Sequence, residues 1–274
     1  ERGVVDDIIS KPSGLAMIVG PTGSGKTTTL YSMLNTLNNE SRKIITIEDP
    51  VEYQFPGITQ ISVHSEEGGN DDSFADKLRA VLRLDPDIVM IGEIRDLDTA
   101  KTALQAALTG HLVLATFHAS SAAAALTRIA DIIGQNPLFV SAIRLVMAQR
   151  LVRRLDDSIK EAYDPSEQEW QKINEVLSTL PEGFEHPNLD GLKLHKPGKS
   201  EDNPFGFKGQ LAIREQFIMS EGLQNLLANP KANVTAQSIE NTAIKSGMLT
   251  MQQHGMLKVI AGETTMEELY RVIG

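Results

Sequence analysis

Residues 20 to 27 read Gly20-Pro21-Thr22-Gly23-Ser24-Gly25-Lys26-Thr27, a complete G-x-x-x-x-G-K-[ST] phosphate-binding loop, with Thr28 continuing it. Glycines let a backbone wrap closely around a polyphosphate, so that amide N–H groups and a helix N-terminus point at the anion. Lys26 can then reach the β- and γ-phosphates, and the Thr27 hydroxyl can hold Mg²⁺. The flanking residues fit. Leu15 to Val19 is a short apolar run, as a buried strand is, and Thr27 to Leu37 continues at helical spacing with Leu30, Met33, Leu34 and Leu37 on one face. Strand, loop, lysine and helix in register separate this segment from an ordinary glycine-rich turn. The ligand they imply is ATP or GTP.

A phosphate loop needs a partner strand whose end supplies a carboxylate near Mg²⁺ and the attacking water. Ile88-Val89-Met90-Ile91-Gly92-Glu93 has that form. A second acidic cluster, Glu48-Asp49-Pro50-Val51-Glu52, follows the apolar run Lys43–Ile47 and could orient a water or bind metal; an exposed acidic loop looks the same. His111 and His118 bracket the run Leu112–Thr116. They read either as hydrogen-bonded surface histidines or as γ-phosphate sensors at a strand end, where α/β ligands collect. Arg79, Arg83 and Arg95 surround the second carboxylate strand and are candidates to reach a neighbouring subunit's phosphate. The basic stretch Gln149 to Arg154 lies at an expected helix end, where it would compensate the dipole.

The elements that must position these groups alternate. Short apolar strands (Leu15–Val19, Lys43–Ile47, Ile88–Ile91, Leu112–Thr116) are interleaved with helices from 27 to 37, 73 to 83, 97 to 109, 121 to 133 and 138 to 155. This is the pattern of an α/β domain around a mostly parallel sheet. Asp96 is an expected N-cap, and Gly110 stands just past the end of its helix. From Asp156 the character changes. Ser166-x-x-Glu169 is a capping-box pattern ahead of Trp170, Ile173, Leu177 and Leu180 at helical spacing, and Pro181 to Pro204 reads as a loop. A strand at 211–217 and helices at 221–228, 236–246, 251–261 and 265–273 are expected to close the chain.

Bulk properties narrow the class. The 274 residues, 41% hydrophobic and 23% charged, are those of a globular protein able to bury a sizeable core. The absence of cysteine excludes disulfides and Cys-ligated metal. A net charge of −10 argues against a broad nucleic-acid-binding surface. Twelve acidic residues against five lysines between Asp156 and Pro204 carry −7 of that charge. The phosphate-loop strand comes so early that a longer natural chain is expected.

Together these segments resemble the secretion-ATPase superfamily, the hexameric motors of type II secretion and type IV pili. The resemblance rests on "GPTGSGKTTTLY", the Asp box "TIEDPVEYQFPGITQ", the Walker B stretch "LRLDPDIVMIGEIRD" and the His box "KTALQAALTGHLVLATFHA", in that order, then "AQRLVRRL", "GQLAIREQF" and "GMLTMQQHGMLKVIAGETTMEELYRV". It covers nearly the whole chain except about residues 156–208. The tail is more similar to assembly-side ATPases than to retraction motors. The resemblance implies a RecA-like core over 1–155, a variable acidic insertion over 156–208 and a mostly helical C-terminal region over 209–274. It makes Lys26 and Thr27 the phosphate and Mg²⁺ residues and Glu93 the Walker B glutamate. Glu52 becomes the catalytic glutamate with Glu48 and Asp49 in support, and His111 and His118 stand near the γ-phosphate. Many assembly ATPases carry a zinc-binding tetracysteine module where this chain has its acidic segment, so zinc is not expected. The family also has a preceding domain that contributes arginines to a neighbour's nucleotide, and no stretch here matches it. The activity implied is that of an ATP-hydrolysing motor on the cytoplasmic face of the inner membrane, working as a homo-hexamer on a membrane platform protein, without nucleic acid. The rivals are a retraction ATPase, a nucleic-acid translocase and a nucleotide-binding regulator without turnover.

Overall fold

Apolar runs of five to seven residues between amphipathic segments are too short for buried helices and form strands instead. The computed structural model describes residues 2–63, 74–134, 137–229 and 232–274. Helix α1 (Arg2–Ile9) precedes β1 (Gly14–Val19), α2 (Lys26–Leu37), β2 (Ile44–Glu48) and β3 (Thr59–Ser62). Then come α3 (Phe74–Val81), a 3₁₀ turn at Leu82–Leu84, β4 (Ile88–Ile94), α4 (Leu97–Leu108), β5 (Leu112–Phe117) and α5 (Ala122–Ile133). The short α6 (Pro137–Ala142) leads into the long β6 (Ile143–Leu155). β7 (Glu161–Tyr163), α7 (Glu167–Leu177) and β8 (Leu194–Lys196) follow, then β9 (Phe207–Ile218). Helices α8 (Glu221–Ala228), α9 (Ala236–Lys245), α10 (Met251–Ile260) and α11 (Met266–Ile273) complete the chain.

Among the described residues, seven strands form the main sheet in the order β3-β2-β4-β5-β1-β6-β9. All neighbours are parallel except β6 and β9. Parallel strands need crossover connections, so helices cover both faces. The two-residue strand period divides the core accordingly. Ala16 and Ile18 of β1 pack with Leu30 and Leu34 of α2 and with Ile8 and Ile9 of α1. Leu15, Met17 and Val19 join the other layer, with Leu78 of α3, Ala103 of α4 and Leu126 of α5. That second layer continues without a break through Ile173 of α7, Ile239 of α9, Met256 of α10 and Leu269 of α11. Among the described residues no helix is long and apolar enough to cross a membrane.

The expected helix ends are held as their side chains dictate. Asp96 accepts from the Thr99 amide at 2.8 Å, and Ser166 and Glu169 form the reciprocal capping box. The expected start at Ser73 lies outside the described residues. The expected helix over 138–155 is incorrect: only α6 is helical, and Ile143–Leu155 is a strand. Its run Leu145-Val146-Met147-Ala148 is buried on both faces between β1 and β9, a situation in which hydrophobic period cannot separate helix from strand. Arg150, Arg153 and Arg154 therefore compensate no helix dipole. The loop expected over Pro181–Pro204 contains β8, which pairs antiparallel with β7. β9 also runs longer than the strand expected at 211–217 and forms an edge of the main sheet.

Candidate active site

The parallel strands bring their C-terminal ends to one sheet edge, where ligands of open α/β sheets collect. β1 delivers the phosphate loop there. Gly25 adopts φ 82°, a conformation open to glycine, and an added Cβ would stand 2.9 Å from the Gln149 Nε2. The turn it permits starts α2 at Lys26, so the first amides of that helix face the loop. The Lys26 ammonium folds back and donates to the Gly20 and Pro21 carbonyls, each at 2.9 Å. Burial pushes its pKa down, the Glu93 carboxylate opposes that, and the charge of Arg150 adds to it. The Ser24 hydroxyl is buried in the loop without a protein partner.

β2 and β4 deliver the carboxylates. Gly92 lets β4 approach β2 closely, since a Cβ there would meet the Glu48 Cα and the Ile47 carbonyl at 3.2 Å. The β4–β5 register shifts between Ile91 and Ile94, and Thr116 donates its hydroxyl to the Gly92 carbonyl. Glu93 leaves this irregular segment with its oxygens bound to His118 Nε2 at 2.7 Å and Arg95 Nε at 2.6 Å. Arg95 also reaches Asp49 at 3.4 Å. Glu48 is only 2% exposed. Tyr31 and Thr46 donate to it, as does Gln60 Nε2 at 3.1 Å, so both carboxylate oxygens are taken. Burial first, and the Glu48 carboxylate next, raise the Tyr31 pKa to about 12, which keeps the phenol a donor. Glu52 is exposed on the rim, its amide donating to the Tyr31 hydroxyl at 3.3 Å. Lys26, Thr27, Asp49, Glu52, Glu93 and His118 all line one open cleft of about 550 Å³.

The family model described as "Type II/IV secretion system protein" matches residues 1–271. The chain belongs to this family. It is 43% identical over 265 residues to the type II secretion system protein E of Xanthomonas campestris, an alignment covering 97% of this chain and 44% of that protein. It is 40% identical over 265 residues to the type IV pilus assembly ATPase PilB of Thermus thermophilus, covering 96% of this chain and 28% of that protein. The chain thus spans less than half the length of either relative. Among solved structures it is similar to the pilus retraction motor PilT with bound ADP, with a TM-score of 0.67 and 29% identity, over 99% of this chain and 64% of the other. The fold is the RecA-like α/β fold of these secretion proteins.

Within this secretion-family fold, not every expected residue reaches the cleft. His118 does. His111 does not, which corrects the expectation that both stand near the γ-phosphate. The two histidines sit at opposite ends of β5, and the strand between them sets them about 20 Å apart. His111 Nδ1 lies 3.0 Å from the Ala106 carbonyl at the end of α4, beside a separate cleft lined by Lys11, Arg42, Asp85 and Asp87. Arg79 is exposed and pairs with Asp76 at 2.8 Å and Asp98 at 2.6 Å, and Arg83 is exposed on the 3₁₀ turn. Tyr31 and Gln60 also hold Glu48 in the site, and no local pattern in the sequence marks them. For Gln149 and Arg150 a signal existed besides basic charge: a polar pair interrupts the apolar run of β6 at the level of the phosphate loop.

The cleft fits the phosphates of a nucleotide. The loop presents helix-start amides, an ammonium resting on carbonyls and an unpartnered buried hydroxyl at Ser24. Among the described residues no cluster of three or more His, Cys, Asp or Glu could hold a metal unaided.

Proposed function

We propose that this chain is the motor domain of an assembly-side secretion ATPase, hydrolysing ATP to ADP and phosphate to drive type II secretion or type IV pilus assembly. The observation that carries the reading is the convergence of Lys26, Glu93, Glu52 and His118 on one cleft in a chain of this family. In hydrolysis a bond forms from water oxygen to the γ-phosphorus, and the bond from that phosphorus to the β–γ bridging oxygen breaks. Positioning and charge stabilisation supply most of the catalysis. Gly20 to Thr28 cradle the phosphates, with Lys26 transferring its ammonium from loop carbonyls to phosphate oxygens. Thr27 and Glu93 would hold Mg²⁺, which when bound neutralises phosphate charge. Glu52, exposed on the rim, orients the water and takes its proton. Glu48 and Asp49 support that rim, and His118, tied to Glu93, follows the state of the γ-phosphate.

The assembly side is favoured because the relatives at 40–43% identity are named for type II secretion and pilus assembly, against 29% for the retraction motor. The proposal extends to a homo-hexamer at the cytoplasmic face of the inner membrane, acting on a platform protein. It also treats residues 1–155 as the motor core, 156–208 as a family-variable segment and 209–274 as the C-terminal region, with β9 completing the sheet. Phosphate release from ATP by the purified protein, lost in Lys26→Ala, tests the reading. Nucleotide binding without phosphate release would make the chain a regulator instead.

A further inference from the structure

Gln149 and Arg150 are consecutive on β6, so their side chains leave opposite faces of the sheet. On the α2 face lies Gln149, 2% exposed. Its Nε2 donates to the Ser24 carbonyl at 2.7 Å, and its Oε1 accepts from Thr29 Oγ1 and Arg214 Nε, both at 2.9 Å. One side chain thereby joins the phosphate loop, the first turn of α2 and β9. On the α5 face, the Arg150 guanidinium donates to the Ser120 carbonyl at 2.7 Å and the Gln149 carbonyl at 3.1 Å. Ser120 stands two residues after His118, in the short connection from β5 to α5. The far end of that connection is held by the buried Glu215 carboxylate, which accepts from the Ala122 amide at 2.7 Å.

We propose that these two neighbours are positioning residues for different halves of the nucleotide site, Gln149 for the phosphate cradle and Arg150 for the loop that carries His118. The inference rests on the ATPase reading. A phosphate cradle binds through amides already aimed at the anion, so a loop carbonyl that loses its buried donor can rotate and spoil the cradle for ATP and ADP alike. Loss of Arg150 leaves the cradle tied by Gln149 but frees the Ser120 carbonyl, and with it the His118–Glu93 pair that faces the reacting end. An interaction shared by ground and transition state shows in binding, whereas one needed for the chemical step shows in turnover. The two adjacent substitutions should therefore fail differently.

The test uses the full chain and four variants, Gln149→Leu, Gln149→Glu, Arg150→Ala and Arg150→Lys. Arg154→Ala serves as a control, since that side chain, near the end of β6, is tied to Asp157 just beyond the strand. Binding of methylanthraniloyl-ADP, kcat and KM from phosphate release, and the thermal midpoint are measured for each. Gln149→Glu keeps the acceptor contacts to Thr29 and Arg214 and loses the donor to Ser24, so it reads the cradle even if Gln149→Leu fails to fold. The expected result is about tenfold weaker ADP binding and a matching rise in KM for both Gln149 variants, with kcat within about twofold. Arg150→Ala should bind ADP as the parent does and lose about tenfold in kcat, with Arg150→Lys recovering part of it. Binding and turnover that fall together in proportion to lost thermal stability, or that move in neither residue's variants, would overturn the inference. A parent that binds ADP yet releases no phosphate would instead refute the ATPase reading and the Arg150 half with it, while ADP binding by the Gln149 variants would still decide the other half.

Discussion

The Lys26 side chain is buried and its ammonium is held by two backbone carbonyls, so a phosphate oxygen arriving in the loop offers it a charged partner in place of neutral ones. A charge-assisted contact of that kind contributes roughly 1.5–3 kcal/mol. Lys26→Ala is expected to weaken ATP binding by about tenfold to a hundredfold in a calorimetric titration. Undiminished affinity would remove the loop from the phosphate site. Glu93 and Glu52 should act differently. Glu93, bonded to His118 and Arg95, would reach the nucleotide only through Mg²⁺ shared with Thr27, and Glu52 faces open solvent at the rim, so neither is a direct phosphate contact. Glutamine at either position keeps the size and removes the charge. The expected outcome is a far smaller change in ATP affinity than in turnover, which for Glu52→Gln should fall on the order of 10²-fold, the scale of a lost general base. Turnover near that of the parent, measured on the assembled protein, would take that residue off the catalytic surface.

At the scale of elements, the ends of β6 tie the active edge to the C-terminal helices. Glu268 on α11 is buried and accepts from the Arg153 amide at 3.0 Å and from Arg271 Nε and Nη2 at 2.8 Å. Burial alone would raise its pKa, but these donors and the Arg153 guanidinium outweigh that and hold it at about 2. A carboxyl depressed from about 4.3 in the unfolded chain stabilises the fold above that pH, and the contribution fades as pH falls towards 2. Because both guanidinium partners are about half exposed, the contribution is discounted to ~2 kcal/mol. Glu268→Gln should lower the urea midpoint at pH 7 and narrow the difference between pH 7 and pH 3. An unchanged difference would mean that other carboxylates set the acid response. The same region shows where sequence stops being legible. β1, β2, β4 and β5 could be read because each short apolar run is bounded by turn residues, and the caps at Asp96 and Ser166 announce their helices. β6 could not, since a strand buried on both faces has no alternation to read. β3 has only four residues and takes its identity from pairing with β2. At the site, the P-loop and the Glu93 strand were visible as local motifs. The Tyr31–Glu48 contact and the Gln149 bridge to Ser24 join residues far apart in the chain, and no local pattern records them.

At the scale of the whole molecule, the charge around the reacting end is unbalanced. Asp49, Glu52 and Glu93 line the cleft, and the cations on the same wall are Lys26, committed to the phosphates, and Arg95, bonded to Glu93 and Asp49. Arg150 is turned to the Ser120 carbonyl, and Arg79 is held by Asp76 and Asp98. On the proposed ATPase reading, charge developing on the γ-phosphate in the transition state would be met by a cation from a neighbouring copy. Arginines supplied by a neighbour are worth on the order of 10³–10⁵ in rate in other NTPases, roughly 4–7 kcal/mol. Exposed Arg83, or Arg79 and Arg95 once their partners rearrange, could serve an adjacent copy. Specific ATPase activity should then rise with protein concentration, in step with assembly followed by light scattering. Mixing in a Lys26→Ala chain, which releases no phosphate itself but keeps its arginines, should restore activity to dilute parent chains. Constant specific activity across a dilution series that stays monomeric would leave a self-sufficient single-subunit site.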